Sequence, residues 1–216
     1  MKGSIAERMA YFASEEFETK FGYDGKDLGA VCEGEKTIFK VWSPFAERIE
    51  LRLYRAGDAG AYRKIEMQAR DRGVWEQAMA ENLHGVYYDY LVRTEGKDVR
   101  TADPYAVGCG CNGEKSMVVD LRRTDPPGFA SDRAPEQKEE RIIYELHIKD
   151  FSYDVRSGIP EEFRGRYKAF TVTGKGGAYP TCMEYLKGLG ITHVHLLPFF
   201  DYGSVDEAGG QEQFNW

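Results

Sequence analysis

Arg48-Ile49-Glu50-Leu51-Arg52-Leu53-Tyr54 alternates apolar and polar residues without a slip. Ile49, Leu51 and Leu53 fall on one side, with Arg48, Glu50, Arg52 and Tyr54 on the other. A period of two marks a half-buried β-strand, because successive side chains point to opposite faces. Residues 37–42 alternate as well, setting Thr37, Phe39 and Val41 against Ile38, Lys40 and Trp42, and Ser43-Pro44 between the two stretches is a turn signal. Further strands are predicted at 62–69, 74–79, 87–94 and 116–121. Short strands at this spacing, with Gly-rich turns and no helical period, predict an immunoglobulin-like β-sandwich over residues 25–122.

On the N-terminal side, residues 1–24 read as a helical segment. Ile5, Met9 and Phe12 stand at i, i+4 and i+7 of one amphipathic helix over 4–21, Ser4 with Glu7 forms a capping box, and Gly22-Tyr23-Asp24-Gly25 breaks the pattern. On the other side, residues 123–140 are a linker, held extended by Pro126, Pro127 and Pro135. Residues 141–216 change period again. An apolar run over 142–148 predicts a buried strand, followed by a polar, Gly-rich loop. A helix is expected to start at Thr181, with Thr181 and Glu184 as its capping box, Cys182, Tyr185, Leu186 and Leu189 on one face, and Gly190 at its end. A second apolar strand covers 191–198. Strand, loop, helix and strand make a βαβ unit, so the strands should be parallel and the crossover right-handed. No third strand follows in 199–216. Two parallel strands under one helix leave apolar faces and edges uncovered, so these residues are expected to begin an architecture rather than complete one.

The 216 residues are 42% apolar and 13% aromatic, too much packing material for a disordered chain. Mean hydropathy is −0.56, and no run approaches the ~18–20 apolar residues of a membrane span. Lys and Arg total 29 against 36 Asp and Glu, a net charge of −7, which lacks the basic footprint of a nucleic-acid binder. Cys109 and Cys111 are too close in sequence for an easy mutual disulfide, and with Cys32 and Cys182 they find no second pair at metal-ligand spacing. The four are read as thiols in a reducing compartment, and the absence of an apolar leader after Met1 predicts a cytoplasmic chain.

Several residues invite a chemical reading. Asp150 and Asp201 follow parallel strands at their C-terminal ends, where barrel enzymes place catalytic groups; the pair is either an acid and a base or two loop anchors accepting backbone N–H bonds. His193 and His195 share one strand face as metal ligands would, yet a third ligand is not placed by the sequence, so packing and hydrogen bonding in the strand layer are expected, as for His147. Gly174-Lys175-Gly176-Gly177 lacks the spacing of a phosphate loop and reads as a flexible connection. Trp42 and Trp75 are read as core residues before sugar-stacking platforms.

Motifs in both halves resemble one family. Ile143-Tyr144-Glu145-Leu146-His147-Ile148-Lys149-Asp150-Phe151-Ser152 resembles the first barrel strand of type I pullulanases, in the α-amylase family of glycoside hydrolases. Residues 186–198 resemble their first helix end and second strand. Phe214-Asn215-Trp216 resembles the opening of their signature Tyr-Asn-Trp-Gly-Tyr-Asp-Pro, with Phe in place of the first Tyr. Residues 39–44, 85–90 and 102–106 are similar to the isoamylase-type sandwich that precedes such barrels. The resemblance, over roughly residues 25–216, implies that 141–216 are the truncated start of a (β/α)8 TIM barrel. The parent enzyme would hydrolyse α-1,6 linkages in pullulan, glycogen or starch dextrins with retention, using two carboxylates ~5–5.5 Å apart. The family carries its nucleophilic Asp on strand four, its acid Glu on strand five and a further Asp on strand seven. These 216 residues reach strand two, so they are expected to hold no catalytic residue and to be inactive alone. The resemblance also favours loop anchoring for Asp150 and Asp201.

Phe214, Asn215 and Trp216 are the substrate-binding candidates implied, and α-glucan polysaccharide is the partner. No cofactor and no metal are implied for this chain, with calcium left open for the parent enzyme. Glycan-binding members of the sandwich group carry Trp near an Asn-rich turn and near the Asp-Pro segment. Here those regions read Leu53-Tyr54-Arg55-Ala56-Gly57 and Val99-Arg100, a departure that weakens the expectation of starch binding by the sandwich. Self-association through exposed barrel strands is a further expectation, with the 4–21 helix as an alternative cover. The competing reading is a non-catalytic α-glucan-binding or interaction module.

Overall fold

The computed structural model describes residues 4–56, 60–136, 140–173, 179–199 and 206–209. The chain divides into two units, Met1–Ser131 with Asp206–Trp216, and Asp132–Val205.

The first unit opens with two helices, α1 (Ile5–Phe12) and α2 (Glu15–Phe21), in place of the single helix expected over 4–21. The Ser4–Glu7 capping box is formed at the start of α1. Ser14 makes the break: its hydroxyl donates to the Tyr11 carbonyl at 2.6 Å and accepts from Phe17 N–H at 3.2 Å. One side chain thus ends α1 and caps α2, whose first turn is acidic as the helix dipole favours. Phe17, not the Ile5–Met9–Phe12 stripe, is the buried residue; Ile5 stays 79% exposed. Phe17 meets Trp42 edge-on and stacks near Phe45, so the helical pair spends its buried apolar residue on the sandwich.

Two antiparallel sheets follow. One has the order β1 (Gly29–Glu33), β2 (Lys36–Trp42), β6 (Val74–Met79), β5 (Gln68–Ala69). The other has the order β4 (Arg63–Glu66), β3 (Arg48–Tyr54), β7 (Tyr87–Thr94), β8 (Lys97–Thr101), with the short β9 (Ser116–Met117) also on β7. The expected strand over 62–69 is two strands in different sheets. Met67 sits between them, buried, and its N–H donates to the Ile49 carbonyl at 2.9 Å. The strand expected over 116–121 ends after two residues, because Asp120 caps a 3-10 turn at Leu121–Arg123. β1 and β8 were not anticipated; β8 is exposed along its whole length and has no buried face to produce an alternation.

The core lies between the sheets. Phe39, Val41, Trp75 and Met79 from the first pack against Ile49, Leu51, Leu53, Tyr88 and Tyr90 from the second, and the Phe39 and Tyr88 rings meet edge-on at 5.0 Å. The face of β2 that carries Thr37, Phe39 and Val41 is the inward one. Gly73 takes φ +77° directly beneath Pro44, where an added β-carbon would stand 2.6 Å from the proline ring; only glycine lets that turn close against its neighbour.

In the second unit, β10 (Ile143–His147) and β11 (His193–Leu197) pair in parallel, with α3 (Cys182–Gly188) in the crossover. Leu146 and Ile148 are buried, but Ile142 and Ile143 are 52% and 65% exposed. The strand expected to be buried is open on one face; α3 is the only α-helix among the described residues between the two strands. The capping box expected at Thr181 is absent; its hydroxyl donates instead to the Ser157 carbonyl at 2.6 Å. Cys182 and Leu186 face inward, whereas Tyr185 and Leu189 are 42% and 40% exposed. A small core of Ile159, Ala169 and Cys182 with Phe151, Phe163 and Val172 orders the long connection. No helix among the described residues is long and apolar enough to cross a membrane.

Candidate functional site

The outer face of the β3–β7–β8 sheet carries a cluster of charged side chains. Asp89 points away from the sandwich core, between the inward Tyr88 and Tyr90, yet is fully buried. Arg52 stands directly opposite it on β3 and donates from Nε to Oδ1 at 2.8 Å. Arg100, from β8, donates from Nε to Oδ2 at 2.6 Å. The Tyr54 hydroxyl lies 3.0 and 2.9 Å from the two carboxylate oxygens. Burial, and then the hydrogen bond to Asp89, push the Tyr54 phenol above its ordinary pKa. The Lys115 ammonium lies 4.3 Å from the centre of the Tyr54 ring, and the Arg100 guanidinium carbon 5.9 Å from it. Three cations thus surround one carboxylate and one aromatic ring.

These are the positions where the sequence departs from a glycan-binding pattern, and the geometry gives the departure a physical content. Tyr54 is 4% exposed, so its ring has no free face on which a sugar could stack. Tyr62 differs: it is exposed, with the Arg55 guanidinium 5.2 Å from its ring centre. Of the two tryptophans, Trp75 belongs to the core and donates Nε1–H to the Ser43 carbonyl at 3.0 Å. Trp42 donates Nε1–H to the carbonyls of Phe21 and Arg72, which fixes it beneath α2.

A second polar cluster is internal. Asp103 accepts from the hydroxyls of Tyr88 at 2.7 Å and Tyr90 at 3.3 Å and from Tyr105 N–H at 2.9 Å. Its own N–H donates to Ser116 Oγ at 2.8 Å. Burial raises the Asp103 carboxyl above its ordinary value despite these donors. The cluster fastens the Asp-Pro segment to the inner face of β7.

The second unit holds a cleft of about 530 Å³ lined by Tyr144, Phe151, Tyr185, Thr181 and the Asp154–Arg156 pair. Arg156 grips Asp154 through its N–H, Nε and Nη2, and holds the carboxyl down at about 2. On the open face of the strand pair, Glu145 and His195 are register partners, Oε2 to Nδ1 3.0 Å. The sequence had not placed an acidic partner for that histidine; only the parallel register brings the two together. His193 is 2.9 Å from Thr192 Oγ1 through Nδ1. His147 Nδ1 stands 3.5 Å from the Asp150 carboxylate and accepts from Asp150 N–H at 3.3 Å. In this bond the Asp150 backbone donates, whereas loop anchoring had its carboxylate accepting backbone N–H bonds. No group of three or more His, Cys, Asp or Glu able to hold a metal occurs among the described residues. Asp201, Gly174-Lys175-Gly176-Gly177 and the three substrate-binding candidates Phe214, Asn215 and Trp216 lie outside the described residues.

Sequence reasoning missed Asp89, Arg52 and Lys115 as a group. An acidic residue between two inward tyrosines, with arginines at polar positions of neighbouring strands, is the signal that a known register would have turned into an ion cluster.

Residues 27–106 match the family described as Carbohydrate-binding module 48 (Isoamylase N-terminal domain). The chain is 34% identical to the pullulanase of Bacillus subtilis over 203 residues, which is 93% of this chain and 27% of that protein. The pullulanase of Paenibacillus barengoltzii, solved in complex with maltohexaose and alpha-cyclodextrin, superposes with a TM-score of 0.83 at 35% identity, over 94% of this chain and 32% of that one. The pullulanase of Bacillus acidopullulyticus gives 0.80 at 38% identity, over 87% and 24%. The likeness to type I pullulanases thus runs along nearly the whole chain, and the chain spans roughly a quarter to a third of the length of these three relatives.

Proposed function

We propose that this chain is the N-terminal, glucan-facing part of a debranching glycoside hydrolase that cleaves α-1,6 linkages in pullulan, glycogen or starch dextrins. Residues 25–122 are its carbohydrate-binding sandwich, 123–140 the linker, and 141–216 the first βα elements of a (β/α)8 barrel. The observation that carries the reading is the order of parts. A sandwich of the carbohydrate-binding module 48 type precedes a parallel strand–helix–strand, and both are similar to pullulanases over nearly the whole chain. Hydrolysis with retention needs one carboxylate as nucleophile and another as acid. In this reading both come from later barrel strands, and Phe214, Asn215 and Trp216 help to form the glucan cleft.

The test is a reducing-end assay on pullulan. Residues 1–216 alone should release nothing above buffer, because loss of a catalytic unit costs many powers of ten, whereas a protein carrying the remaining βα units should cleave. Turnover by residues 1–216 overturns the placement of the catalytic pair.

Tyr62 supports a narrower reading in which the sandwich itself touches glucan, since its ring is exposed beside Arg55. Retardation of residues 25–122 in an amylose-containing gel should weaken on Tyr62→Ala and stay unchanged on Tyr54→Phe. Equal retardation of all three proteins removes Tyr62 from the contact.

A further inference from the structure

β10 ends at His147, and the chain turns at once. Phe151 N–H donates to the His147 carbonyl at 3.0 Å, and Tyr153 N–H to the Lys149 carbonyl at 3.1 Å. Ser152, between them, is buried. Its hydroxyl accepts from Gly165 N–H at 2.9 Å, and its carbonyl accepts from the Ser157 hydroxyl at 3.0 Å. Two later stretches of the same connection thus hold the residue before Tyr153, and the backbone that presents the Tyr153 ring is fixed. The ring itself lies against Gly165. A β-carbon added there would stand 3.1 Å from Tyr153 Cδ2 and 3.4 Å from Lys149 Cγ, and Gly165 takes φ +70°. Glycine lets the ring and the lysine stem settle on the loop. The Lys149 ammonium is 5.0 Å from the ring centre, within cation–π range.

Tyr153 is nonetheless 62% exposed, so a ring held in one place keeps most of its surface in water. Ile143 and Val194 are exposed too, but they belong to strands that further barrel elements would cover in the proposed enzyme. Tyr153 lies past the C-terminal end of β10, on the side where a barrel gathers its βα loops around the substrate. A flat apolar ring with an ammonium beside it suits a hexose. The C–H face of the sugar packs on the ring, and its hydroxyl oxygens accept from the ammonium.

We propose that Tyr153 is a stacking platform for a glucose unit of the α-glucan, with Lys149 donating to a hydroxyl of the same sugar. The identity of the ligand rests on the function proposed above; the fixed, exposed ring does not.

Residues 1–216 with isotope-labelled tyrosine, titrated with maltohexaose, test it by nuclear magnetic resonance. The Tyr153 ring signals should move saturably, whereas those of Tyr179, more exposed still, should not. Affinity read at the Gly165 amide should weaken by about tenfold in Tyr153→Ala, the scale of burying one ring face. Tyr153→Phe, which keeps the ring, should bind as the unsubstituted chain does, and the Leu146 and Ile148 amide signals should stay in place in both variants. In a protein carrying the remaining βα units, Tyr153→Ala should raise KM for pullulan about tenfold and leave kcat within about twofold, the mark of binding shared by ground and transition states. A Tyr153 ring unmoved by maltohexaose overturns the platform. A moved ring with unchanged KM overturns its part in substrate binding. If the longer protein cleaves no pullulan, the proposed function fails, and the ring titration alone decides whether Tyr153 takes a glucan.

Discussion

The sandwich and the strand–helix–strand of the second unit are written in the same residue types and fold to opposite degrees of burial. Ile49, Leu51 and Leu53 on β3 have no exposed surface, whereas Ile143 on β10 is 65% exposed. The difference is one of layers. Each sandwich sheet covers the other's inner face. A parallel pair needs cover on both faces, and α3 is the only α-helix among the described residues of the crossover between β10 and β11. A strand pattern is local, but burial is a property of whatever second layer the chain can bring.

The comparison breaks first on fragments. Residues 25–122 should fold alone with a single cooperative melt, and 141–199 should not; protected amides and a sharp transition in the shorter piece would show that two strands and one helix suffice. Next in size is Asp89→Ala. It leaves Arg52, whose side chain is 15% exposed, without its carboxylate, and a buried pair broken on one side costs ~3–5 kcal/mol. Arg100 is 48% exposed at its side chain, so Arg100→Ala should cost no more than ~1 kcal/mol. Chemical denaturation of residues 25–122 separates the two; equal losses would mean that the cluster is screened by water throughout.

A smaller effect is the pH dependence from Asp103. Burial raises its carboxyl pKa above the unfolded value of about 3.8. The unfolded chain therefore gives up the proton first as pH rises. The stability linked to Asp103 is whole below pH 3.8 and is lost as pH climbs from there through the raised native value. Asp103→Asn should flatten that part of the stability profile, and an unaltered profile would assign the slope to other groups. The smallest change expected is Ile143→Ser in residues 1–216, within ~0.5 kcal/mol because the side chain is already in water. In a protein that carries the full barrel proposed above the same substitution should cost ~1.5–3 kcal/mol, and equal effects in both would contradict a barrel that closes over β10.

Where one face of a strand is buried, the strand was legible. Residues 74–79 and 87–94 were predicted at the bounds that β6 and β7 take. Where no face is buried, as in β8, alternation carries no information and the strand was missed. The break at Ser14 was missed because a serine followed by two glutamates opens a helix as readily as it sits inside one. The candidate site was legible only as a departure: Tyr54 and Arg100 stood out for not matching a glycan-binding pattern, and nothing in their spacing showed that they meet at Asp89.

The amino-acid order by itself determined the alternating strands, the capped helix start at Ser4, the acidic balance and the motifs shared with pullulanases, because each is a property of neighbours within a few residues. Only the tertiary structure decided that Met67 carries the chain from one sheet to the other. Only it decided that Arg52 and Arg100 close on Asp89, that Glu145 faces His195, and that Gly165 meets Ser152. Each of these joins residues whose adjacency follows from sheet register or from where a loop lands, and strand order and register are set when separate segments compete to bury the same apolar faces.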